Sequence, residues 1–376
     1  MNNKRETIII AGGGTGGHII PAVSIALELK EFDSIYIGSK YGIESKENLN
    51  DNFKKKYFLD ITGIQRNMSI KSLISNLVFP IRFFKTYFES RKIISRHRPK
   101  IVIGTGGYCS GLPLLAGIHM KVPTLIQDQN SVPGLITKKL HSKVNKICIA
   151  YEEFYKYINN SNITLTGNPI NPALKKNINI DKNFIKKTLG LSLSKKTILI
   201  LGGSQGAQSI NKHIYSNYNF YKKNNYQIVL QCGEKNYNSI PIELFNEKNI
   251  IIKKFLKDEE KWSMLNCCIA ADLVIARAGA LTISELTYLG KASILIPYKY
   301  ASENHQEINA KSLQKKGACI IIDEDKLRKG NLEKKITEIF TNKTYLNLEK
   351  KALNAAYPNA IKDIIQQIKK ILNEVN

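Results

Sequence analysis

Short apolar runs rich in Ile, Val and Leu alternate along this chain with longer stretches in which apolar residues recur every three or four positions. Such runs are typical of strands buried on both faces of a parallel sheet, and the intervening stretches are typical of amphipathic helices. Their regular alternation predicts an α/β fold built on parallel sheets. The apolar runs begin near residues 7, 34, 100, 122, 145 and 163, and again near 197, 226, 249, 272 and 292.

A glycine-rich turn follows the first run and recurs in the second half of the chain. Thr7–Ala11 leads into Gly12-Gly-Gly-Thr-Gly-Gly17, and a helical pattern starts at His18. A strand, a glycine turn and a helix start direct backbone N–H groups at one point, which suits an anion. Thr197–Leu201 and Gly202-Gly-Ser-Gln-Gly206 repeat this pattern 190 residues later. The repeat predicts two doubly wound domains with ligands beyond the C-terminal ends of their strands.

The first glycine turn also matches the spacing of a dinucleotide fingerprint at Gly12, Gly14 and Gly17. The match is weak, because five glycines in six positions satisfy many patterns. A NAD site further needs an acidic residue at the end of the second strand, where it binds a ribose. That strand, predicted at Ser34–Ile37, is followed by Gly38-Ser39, and the nearest acidic residues precede it. We therefore expect an anionic ligand other than NAD, and no cofactor.

Chain length and turn chemistry predict where the domains divide. The chain has 376 residues, more than one hydrophobic core usually serves. The segment Gly167-Asn-Pro-Ile-Asn-Pro172 is typical of a rigid turn and predicts a hinge. We expect an N-terminal domain over residues 1–170 and a C-terminal domain over residues 171–355. The last helix has an apolar face, formed by Ile361, Ile364, Ile365, Ile368 and Leu372.

Composition restricts the functional classes only in part. No apolar run reaches the ~18–20 residues of a membrane span, and the start of the chain lacks the apolar stretch of a signal peptide. Six cysteines without a CxxC spacing are expected to be reduced thiols in the core. The net charge of +25 fits a nucleic-acid ligand, an anionic membrane surface, or a coding bias towards Lys, Asn and Ile.

The stretch 70–98 predicts a helix with more apolar surface than one face can bury, which Pro80 kinks or interrupts. Such a helix either packs on both sides or lies among the headgroups of an anionic bilayer. We expect its second apolar stripe, with Arg82 and Lys85, to contact the membrane. The first stripe comprises Ile70, Leu73, Ile74, Leu77, Val78, Ile81, Phe84 and Phe88, and the second comprises Phe79, Phe83 and Tyr87.

In the second half, two glycine turns are suited to a nucleoside diphosphate. Gly202–Gly206 and Arg277-Ala-Gly-Ala280 can cradle the diphosphate, and a helix from Ala280 offers its N–H groups and dipole. Thr282 and Ser284 add hydroxyls in the first turn of that helix. Glu285 is placed to accept hydrogen bonds from two ribose hydroxyls. The alternative for Glu285 is an acidic residue favoured only by the helix dipole.

Seven ordered motifs run through the chain: Gly12-Gly-Gly-Thr-Gly-Gly-His18, Gly106-Gly-Tyr108-x-Ser-Gly111, Gln129-Asn130, Gly167-Asn-Pro169, Gly202-Gly-Ser-Gln-Gly-Ala207, Arg277-Ala-Gly-Ala-Leu-Thr-x-Ser-Glu285 and Gln306-x-x-Asn-Ala310. Together they make the chain resemble the MurG family of lipid-linked N-acetylglucosaminyltransferases, over essentially its whole length. The resemblance implies a GT-B fold, two Rossmann-like doubly wound domains facing across a cleft. It also implies that the last helix, about 356–376, packs back on the first domain.

The resemblance further implies the reaction and its partners. N-acetylglucosamine would pass, with inversion, from UDP-N-acetylglucosamine to the C4 hydroxyl of the muramoyl sugar of lipid I, forming lipid II for peptidoglycan synthesis. The C-terminal domain would bind the donor, and the N-terminal domain would meet lipid I at the anionic cytoplasmic face of the cell membrane, as a peripheral protein. The implied donor residues are Thr15, Gly16, Gly17, Asn130, Ser204, Leu256, Ala280, Leu281, Thr282, Ile283, Ser284, Glu285 and Gln306, with Arg277 added from its turn. The expected acceptor residues are Gly13, Gly14, Gly106, Gly107 and Tyr108.

The reaction needs a base for the acceptor hydroxyl and stabilisation of the leaving UDP. His18 is the first candidate, because the start of a helix favours a neutral imidazole. The alternative is a histidine that only shapes the glycine turn. Asp128 is the second candidate base. No metal is required, and we interpret Asp323-Glu-Asp325, which spells a metal-binding motif, as a solvated turn.

Three positions depart from the family pattern, at Gln127, Asp128 and Asn171, and two rival functions stay open. The family often has His where this chain has Gln127. The family commonly has Arg where this chain has Asn171, so that Lys175, Lys176 or Arg277 would have to supply the charge. Asp128 replaces a Glu with a longer reach. One rival is a UDP-N-acetylglucosamine 2-epimerase, which shares the fold and a similar donor pocket. The other is a nucleic-acid-binding protein, although basic residues beside aromatic ones occur only in the 70–98 stretch.

Overall fold

The computed structural model describes residues 5–45, 52–61, 70–175, 180–203, 206–257 and 260–375. Within them the chain forms one parallel sheet of seven strands and one of six. The chain divides into two compact units, Met1–Ile170 with Asn359–Asn376, and Asn171–Pro358. The predicted α/β class with two doubly wound sheets is confirmed, because each unit repeats strand, turn and helix around a parallel sheet.

The sheet of the first unit has the strand order β3-β2-β1-β4-β5-β6-β7. Its central strands are buried on both faces, since Ile8 and Ile10 pack into one core cluster and Ile9 and Ala11 into another. The strands are β1 (Thr7–Ala11), β2 (Asp33–Ser39), β3 (Lys55–Leu59), β4 (Val102–Gly104), β5 (Thr124–Asp128), β6 (Lys146–Ile149) and β7 (Ile163–Leu165). The helices are α1 (Gly16–Glu28), α2 (Ile70–His97), α3 (Gly111–His119) and α4 (Leu135–Leu140).

The last helix of the chain belongs to the first unit. It spans Ala360–Val375, and its apolar face is buried against α1 and the sheet in one core cluster with Ile8 and Ile25. The ion pair between Lys369 and Glu31 adds a polar contact at 3.1 Å. The residues of this helix that are buried in that core are Ile361, Ile364, Ile368 and Ile371.

Helix α2 runs without interruption through Pro80, and the exposure of its two apolar stripes is the reverse of what we expected. Tyr87 packs against the core and shares a hydrogen bond with His119 Nδ1 at 2.7 Å, and this fixes which side faces the protein. Phe79 and Phe83, on that side, are half-buried. The exposed apolar residues therefore belong to the first stripe, with exposed fractions of 79% at Leu77, 70% at Ile81, 59% at Phe84 and 61% at Phe88. The side chains of Ile70, Leu73 and Ile74 lie outside the described part of the structure.

The sheet of the second unit has the strand order β10-β9-β8-β11-β12-β13. Its strands are β8 (Thr197–Leu201), β9 (Gln227–Gln231), β10 (Ile250–Lys253), β11 (Leu273–Ala276), β12 (Ser293–Leu295) and β13 (Ile320–Ile321). Its helices are α5 (Lys182–Leu189), α6 (Gln208–Ser216), α7 (Tyr218–Lys223), α8 (Met264–Ala270), α9 (Ala280–Tyr288), α10 (His305–Lys315), α11 (Asn331–Thr341) and α12 (Thr344–Ala355). The final helix is α13.

Both sheets reverse their winding direction beside their first strand. In the first unit β1 lies between β2 and β4, and in the second unit β8 lies between β9 and β11. Loops after such a strand pair diverge to opposite faces and leave a crevice at the strand ends. The four glycine turns follow β1, β4, β8 and β11, so the topology brings them together in pairs. No helix in the described part of the chain is long and apolar enough to cross a membrane.

Candidate active site

The glycine turns after β1 and β4 touch each other in the first unit. Thr105 N–H donates to Ala11 O at 2.8 Å, and its hydroxyl donates to His18 O at 2.8 Å. Gly107 has a φ of +73°, and a Cβ there would lie 2.4 Å from Gly13 O. The two turns therefore require glycine where their backbones meet.

His18 lies at the centre of this junction, in the first turn of α1. Its Nδ1 is 3.0 Å from Oε1 of Gln129, and the ring is half-buried. Burial lowers the pKa of His18, because desolvation disfavours the imidazolium more than the Gln129 hydrogen bond and the Asp128 charge favour it. A histidine that is neutral at physiological pH can accept a proton, so the geometry suits the first candidate base.

The neighbouring glycine makes room for that ring. Gly106 has a φ of +99°, and a Cβ there would lie 2.5 Å from His18 Nδ1 and 2.9 Å from Gln129 Oε1. Both the left-handed backbone and the space exclude a side chain at Gly106. Tyr108 follows in a short 3-10 helix and is half-buried against the core. The structure thus brings His18 together with Gly106 and Gly107 of the Gly-Gly-Tyr motif that we assigned to the acceptor.

One N–H group of the first glycine turn is occupied by a side chain that we did not predict. Glu44 is fully buried, and its carboxylate accepts from Gly14 N–H at 2.8 Å and from Ser39 N–H at 2.9 Å. This corrects the expectation that Gly14 offers its N–H to an anion. Gly16 and Gly17 still lie in the first turn of α1, where the helix supplies no acceptor for the N–H groups. Thr15 precedes them and is exposed.

Asp128 is held by three hydrogen bonds from neighbouring residues. Its oxygens accept from Gly134 N–H at 2.9 Å, the Thr137 hydroxyl at 2.6 Å and Asn130 N–H at 3.3 Å. Burial raises the pKa of Asp128, and these hydrogen bonds oppose the rise. The carboxylate therefore fastens the end of β5 to the start of α4. Asn130 beside it is half-buried.

The second unit carries a helix N-terminus at its own strand junction. Helix α9 begins at Ala280 directly after the turn that follows β11, with no acidic residue in its first turn. Its first N–H groups and its dipole favour a negative charge there. Ser284 donates its hydroxyl to Ala280 O at 3.0 Å, while Thr282 is half-buried. Ala280, Leu281, Ile283 and Glu285 are buried, with Glu285 exposed by 8%. Ser204 lies outside the described residues.

Gln231, which we did not predict, connects two predicted parts of the donor region. Its Nε2 donates to Gly203 O at 3.1 Å, and its Oε1 accepts from Leu256 N–H at 3.4 Å. Leu256 is buried, and its N–H is thus directed at a protein side chain. Gln306 Oε1 accepts from Tyr298 N–H at 2.9 Å, which leaves the amide nitrogen of Gln306 as its donor.

Arg277 corrects a second expectation. Its guanidinium donates to Glu324 Oε1 at 2.6 Å, to the Ser209 hydroxyl at 2.9 Å, and to the carbonyls of Ile296 and Pro297 at 3.1 and 3.2 Å. Because the donors point at protein acceptors and Glu324 balances the charge, Arg277 braces the end of β11 instead of holding a diphosphate.

The motif Asp323-Glu-Asp325 is only partly a solvated turn. Asp323 and Asp325 are exposed and form ion pairs with Lys326 and Lys299 at 2.7 and 2.8 Å. Glu324, however, turns inward to Arg277. Among the described residues, no cluster of three or more His, Cys, Asp or Glu side chains is suited to hold a metal ion.

Asn171, at the position where the family commonly has Arg, has a local role. Its Oδ1 accepts from Ala173 N–H at 3.0 Å and so closes the turn at the start of the second unit. Of the three cations that might have replaced the family arginine, Arg277 is bound to Glu324 and Lys176 lies outside the described residues. Lys175 is half-buried in the short 3-10 helix that follows Asn171.

Comparisons with known proteins place the chain in a family. The glycosyltransferase family 28 N-terminal domain matches residues 8–149, and the glycosyltransferase family 28 C-terminal domain matches residues 197–368. The UDP-N-acetylglucosamine--N-acetylmuramyl-(pentapeptide) pyrophosphoryl-undecaprenol N-acetylglucosamine transferase of Acetivibrio thermocellus is 35% identical, over 97% of this chain and 98% of that protein. The protein of the same name from Thermodesulfovibrio yellowstonii is 38% identical, over 97% of this chain and 98% of its own length.

Solved structures agree with these relatives. The MurG crystal structure from Acinetobacter baumannii has a TM-score of 0.74 and 25% identity, covering 97% of this chain and 99% of that one. The UDP-GlcNAc 2-epimerase of Neisseria meningitidis has a TM-score of 0.63 over 97% of this chain and 100% of its own, and at 16% identity it shows the shared fold alone. The chain therefore belongs to glycosyltransferase family 28 and, within it, to the MurG family of N-acetylglucosamine transferases.

Proposed function

We propose that the chain moves N-acetylglucosamine, with inversion, from UDP-N-acetylglucosamine to the C4 hydroxyl of the muramoyl sugar of lipid I, forming lipid II for peptidoglycan synthesis. The structural observation that carries this proposal is the anchored His18 at the junction of two glycine turns. A transferase needs a base for the acceptor hydroxyl at physiological pH, and burial lowers the pKa of His18 in the required direction.

His18 takes the proton from the attacking hydroxyl as the new bond forms. The acceptor residues beside the ring are Gly13, which is buried, and the half-buried Gly106–Tyr108 motif, and the sugar diphosphate of the acceptor lies against this motif. Thr15, Gly16 and Gly17 offer hydrogen bonds from the start of α1, and that helix end favours a negatively charged group.

The second unit holds the donor. The α9 N-terminus stabilises the diphosphate charge that develops as UDP leaves, an effect that fixed dipoles supply without reorganisation. Glu285 accepts from the ribose hydroxyls, Gln306 donates its amide to the sugar, and Leu256 contacts the uracil. Gln231 holds the glycine turn and the Leu256 backbone in position for that contact, through one hydrogen bond to each.

The exposed stripe of α2 attaches the protein peripherally to the anionic cytoplasmic face of the cell membrane. Leu77, Ile81, Phe84 and Phe88 are spaced along one face and are all more than half exposed. Such a surface on a monomer marks an interaction site. Lys85 is exposed on the same helix, whereas Arg82 lies 3.7 Å from Asp60 and is partly neutralised. The lipid tail of the acceptor makes a membrane the matching partner.

A product assay tests the proposal. The full chain is incubated with UDP-N-acetylglucosamine and a lipid I analogue, and the expected product is a β-1,4-linked disaccharide on the lipid with release of UDP. Free epimerised sugar, formed without acceptor, would instead identify a 2-epimerase of the same fold. Donor specificity is checked by melting temperature, which UDP-N-acetylglucosamine should raise and NAD should not. Equal effects of both nucleotides would contradict the donor assignment.

A further inference from the structure

The side chain that holds His18 is itself part of a buried chain of amides. Gln129 is 3% exposed, Gln127 is fully buried and Asn168 is 2% exposed. Asn168 Nδ2 donates to Gln129 O at 3.0 Å, and Gln127 Nε2 donates to Asn168 Oδ1 at 3.0 Å. Gln129 Nε2 then donates to Gln127 Oε1, and Gln129 Oε1 faces His18 Nδ1 at 3.0 Å. Buried polar groups of this kind are costly unless each one is paired.

Backbone carbonyls determine the direction of this chain. One end of the Gln129 amide lies 2.7 Å from Thr105 O and 3.2 Å from Gln127 O. A carbonyl oxygen only accepts, so this end must be the NH₂ group. The other end, which faces His18, is therefore the oxygen. Turning the amide over would place oxygen against two carbonyl oxygens and leave buried acceptors without donors, which is unfavourable.

The direction has a consequence for the imidazole. Since Gln129 Oε1 only accepts, His18 Nδ1 must carry a hydrogen. In the neutral ring the other nitrogen, Nε2, then has the lone pair. We propose that Gln129 is a positioning residue that fixes the neutral imidazole of His18 as the Nδ1–H tautomer and thereby makes Nε2 the atom that accepts the proton.

The amide also suits a base that must release its proton again. When Nε2 is protonated, both ring nitrogens carry hydrogen, and the Gln129 oxygen continues to accept from Nδ1 without a change of geometry. An amide oxygen has no net charge, so it stabilises the imidazolium less than a carboxylate would. The protonated state is therefore not trapped. This kinetic role of Gln129 rests on the proposed function, whereas the tautomer does not.

Nitrogen NMR of the full chain tests the tautomer without any substrate. The six histidines are labelled with ¹⁵N, the His18 signals are assigned by their loss in H18A, and spectra are taken at a pH well above the histidine range. We expect Nδ1 to show the shift of a protonated nitrogen and Nε2 the shift of an unprotonated one. The opposite pattern in the unmodified protein would overturn the proposal.

Two variants of neighbouring amides separate positioning from packing. Gln129→Leu removes the acceptor and should bring the two ring shifts towards average values. Gln127→Leu is the matched control, because two backbone carbonyls still orient Gln129, and it should keep the Nδ1–H pattern. Equal behaviour of the two variants would refute the assignment. For Gln129→Leu we expect kcat to fall roughly ten- to hundredfold, less than the 10²–10⁴ supplied by a general base, with unchanged donor affinity.

Gln129→Met decides the matter if the leucine variant does not fold. Its thioether has a length similar to that of the glutamine side chain but is only a weak acceptor, so the Nδ1–H pattern of His18 should be lost as in Gln129→Leu. A fully retained Nδ1–H pattern in Gln129→Met would mean that Gln129 does not act on the ring. If the unmodified protein shows the expected tautomer but no lipid-linked product, the proposed function fails and the tautomer assignment stands.

Discussion

A methyl group at Gly106 should disable the enzyme without unfolding it. In Gly106→Ala the new Cβ would lie 2.5 Å from His18 Nδ1, where an ordinary contact needs at least 3.4 Å, so the ring must shift by about 0.9 Å. A displacement of about 1 Å at a reacting group can lower the rate on the order of 100-fold. The same Cβ would lie 2.9 Å from Gln129 Oε1, so the hydrogen bond that orients the ring is strained as well.

The effect on stability is smaller. An alanine in the left-handed region costs roughly 1–2 kcal/mol, and a weakened hydrogen bond adds roughly 0.5–1.5 kcal/mol. Restriction of the unfolded chain returns about 0.4–1 kcal/mol. We therefore expect the free energy of unfolding to fall by about 1–3 kcal/mol, which chemical denaturation can measure and which leaves a typical domain folded.

Gly190→Ala is the matched control. Gly190 has a φ of +76° at the end of α5, and a Cβ there meets nothing within 4 Å. It carries the same backbone penalty without touching the site, so kcat should equal that of the unmodified protein. Donor affinity by calorimetry should be unchanged in both variants. If Gly106→Ala turns over as fast as Gly190→Ala, the steric account of His18 is refuted.

The other predictions concern the donor, the base and the membrane. Glu285→Ala should weaken UDP-sugar binding by roughly 1.5–3 kcal/mol in calorimetry, because the ribose hydroxyls lose a charged acceptor, and unchanged affinity would remove Glu285 from the site. His18→Ala should lower kcat by about 10²–10⁴ with little change in donor affinity, and a loss below about tenfold would exclude a general base. Because burial lowers the pKa of His18, the unfolded chain binds more protons than the folded one just below the ordinary histidine pKa of 6.5. The His18 contribution should thus lower the free energy of unfolding as pH drops from 6.5 to the lowered pKa of folded His18, and kcat should fall only below that range. If His18→Ala loses stability over the same pH range, the pH dependence belongs to other groups. Phe88→Ser should lower the affinity for anionic vesicles by roughly tenfold or more, because burying a Phe side chain contributes about 1.5–3 kcal/mol. Phe184 is also 61% exposed, and Phe184→Ser should leave this affinity unchanged. Equal effects of the two changes would place the membrane attachment elsewhere.

Local sequence determined the architecture. Strands, glycine turns and the helix after each turn were predictable, because burial on both faces of a parallel strand leaves a continuous apolar run that needs no knowledge of the partner strand. The helix of residues 70–97 was predictable from apolar residues at helical spacing. Strand β3 was not, since Lys55–Leu59 is an edge strand with three half-buried residues and one exposed. The ordered motifs were sufficient to identify the family and the enzyme class.

Tertiary structure decided which of the motif residues are free to act. Glu44 is 30 residues from Gly14, and Glu324 is 47 from Arg277; neither pairing leaves a signal in local periodicity. Periodicity likewise shows that the α2 residues form two stripes, but the phase that turns one of them to solvent is set by contacts with α3. The direction of the Gln129 amide depends in part on the carbonyl of Thr105, 24 residues away, and its oxygen meets a ring 111 residues away. The sequence thus specified which chemical groups are present. Their orientation was determined by hydrogen-bond partners that the sheet topology brings together, because a buried donor or acceptor pairs with a group that is near in space, even when that group is far away in the sequence.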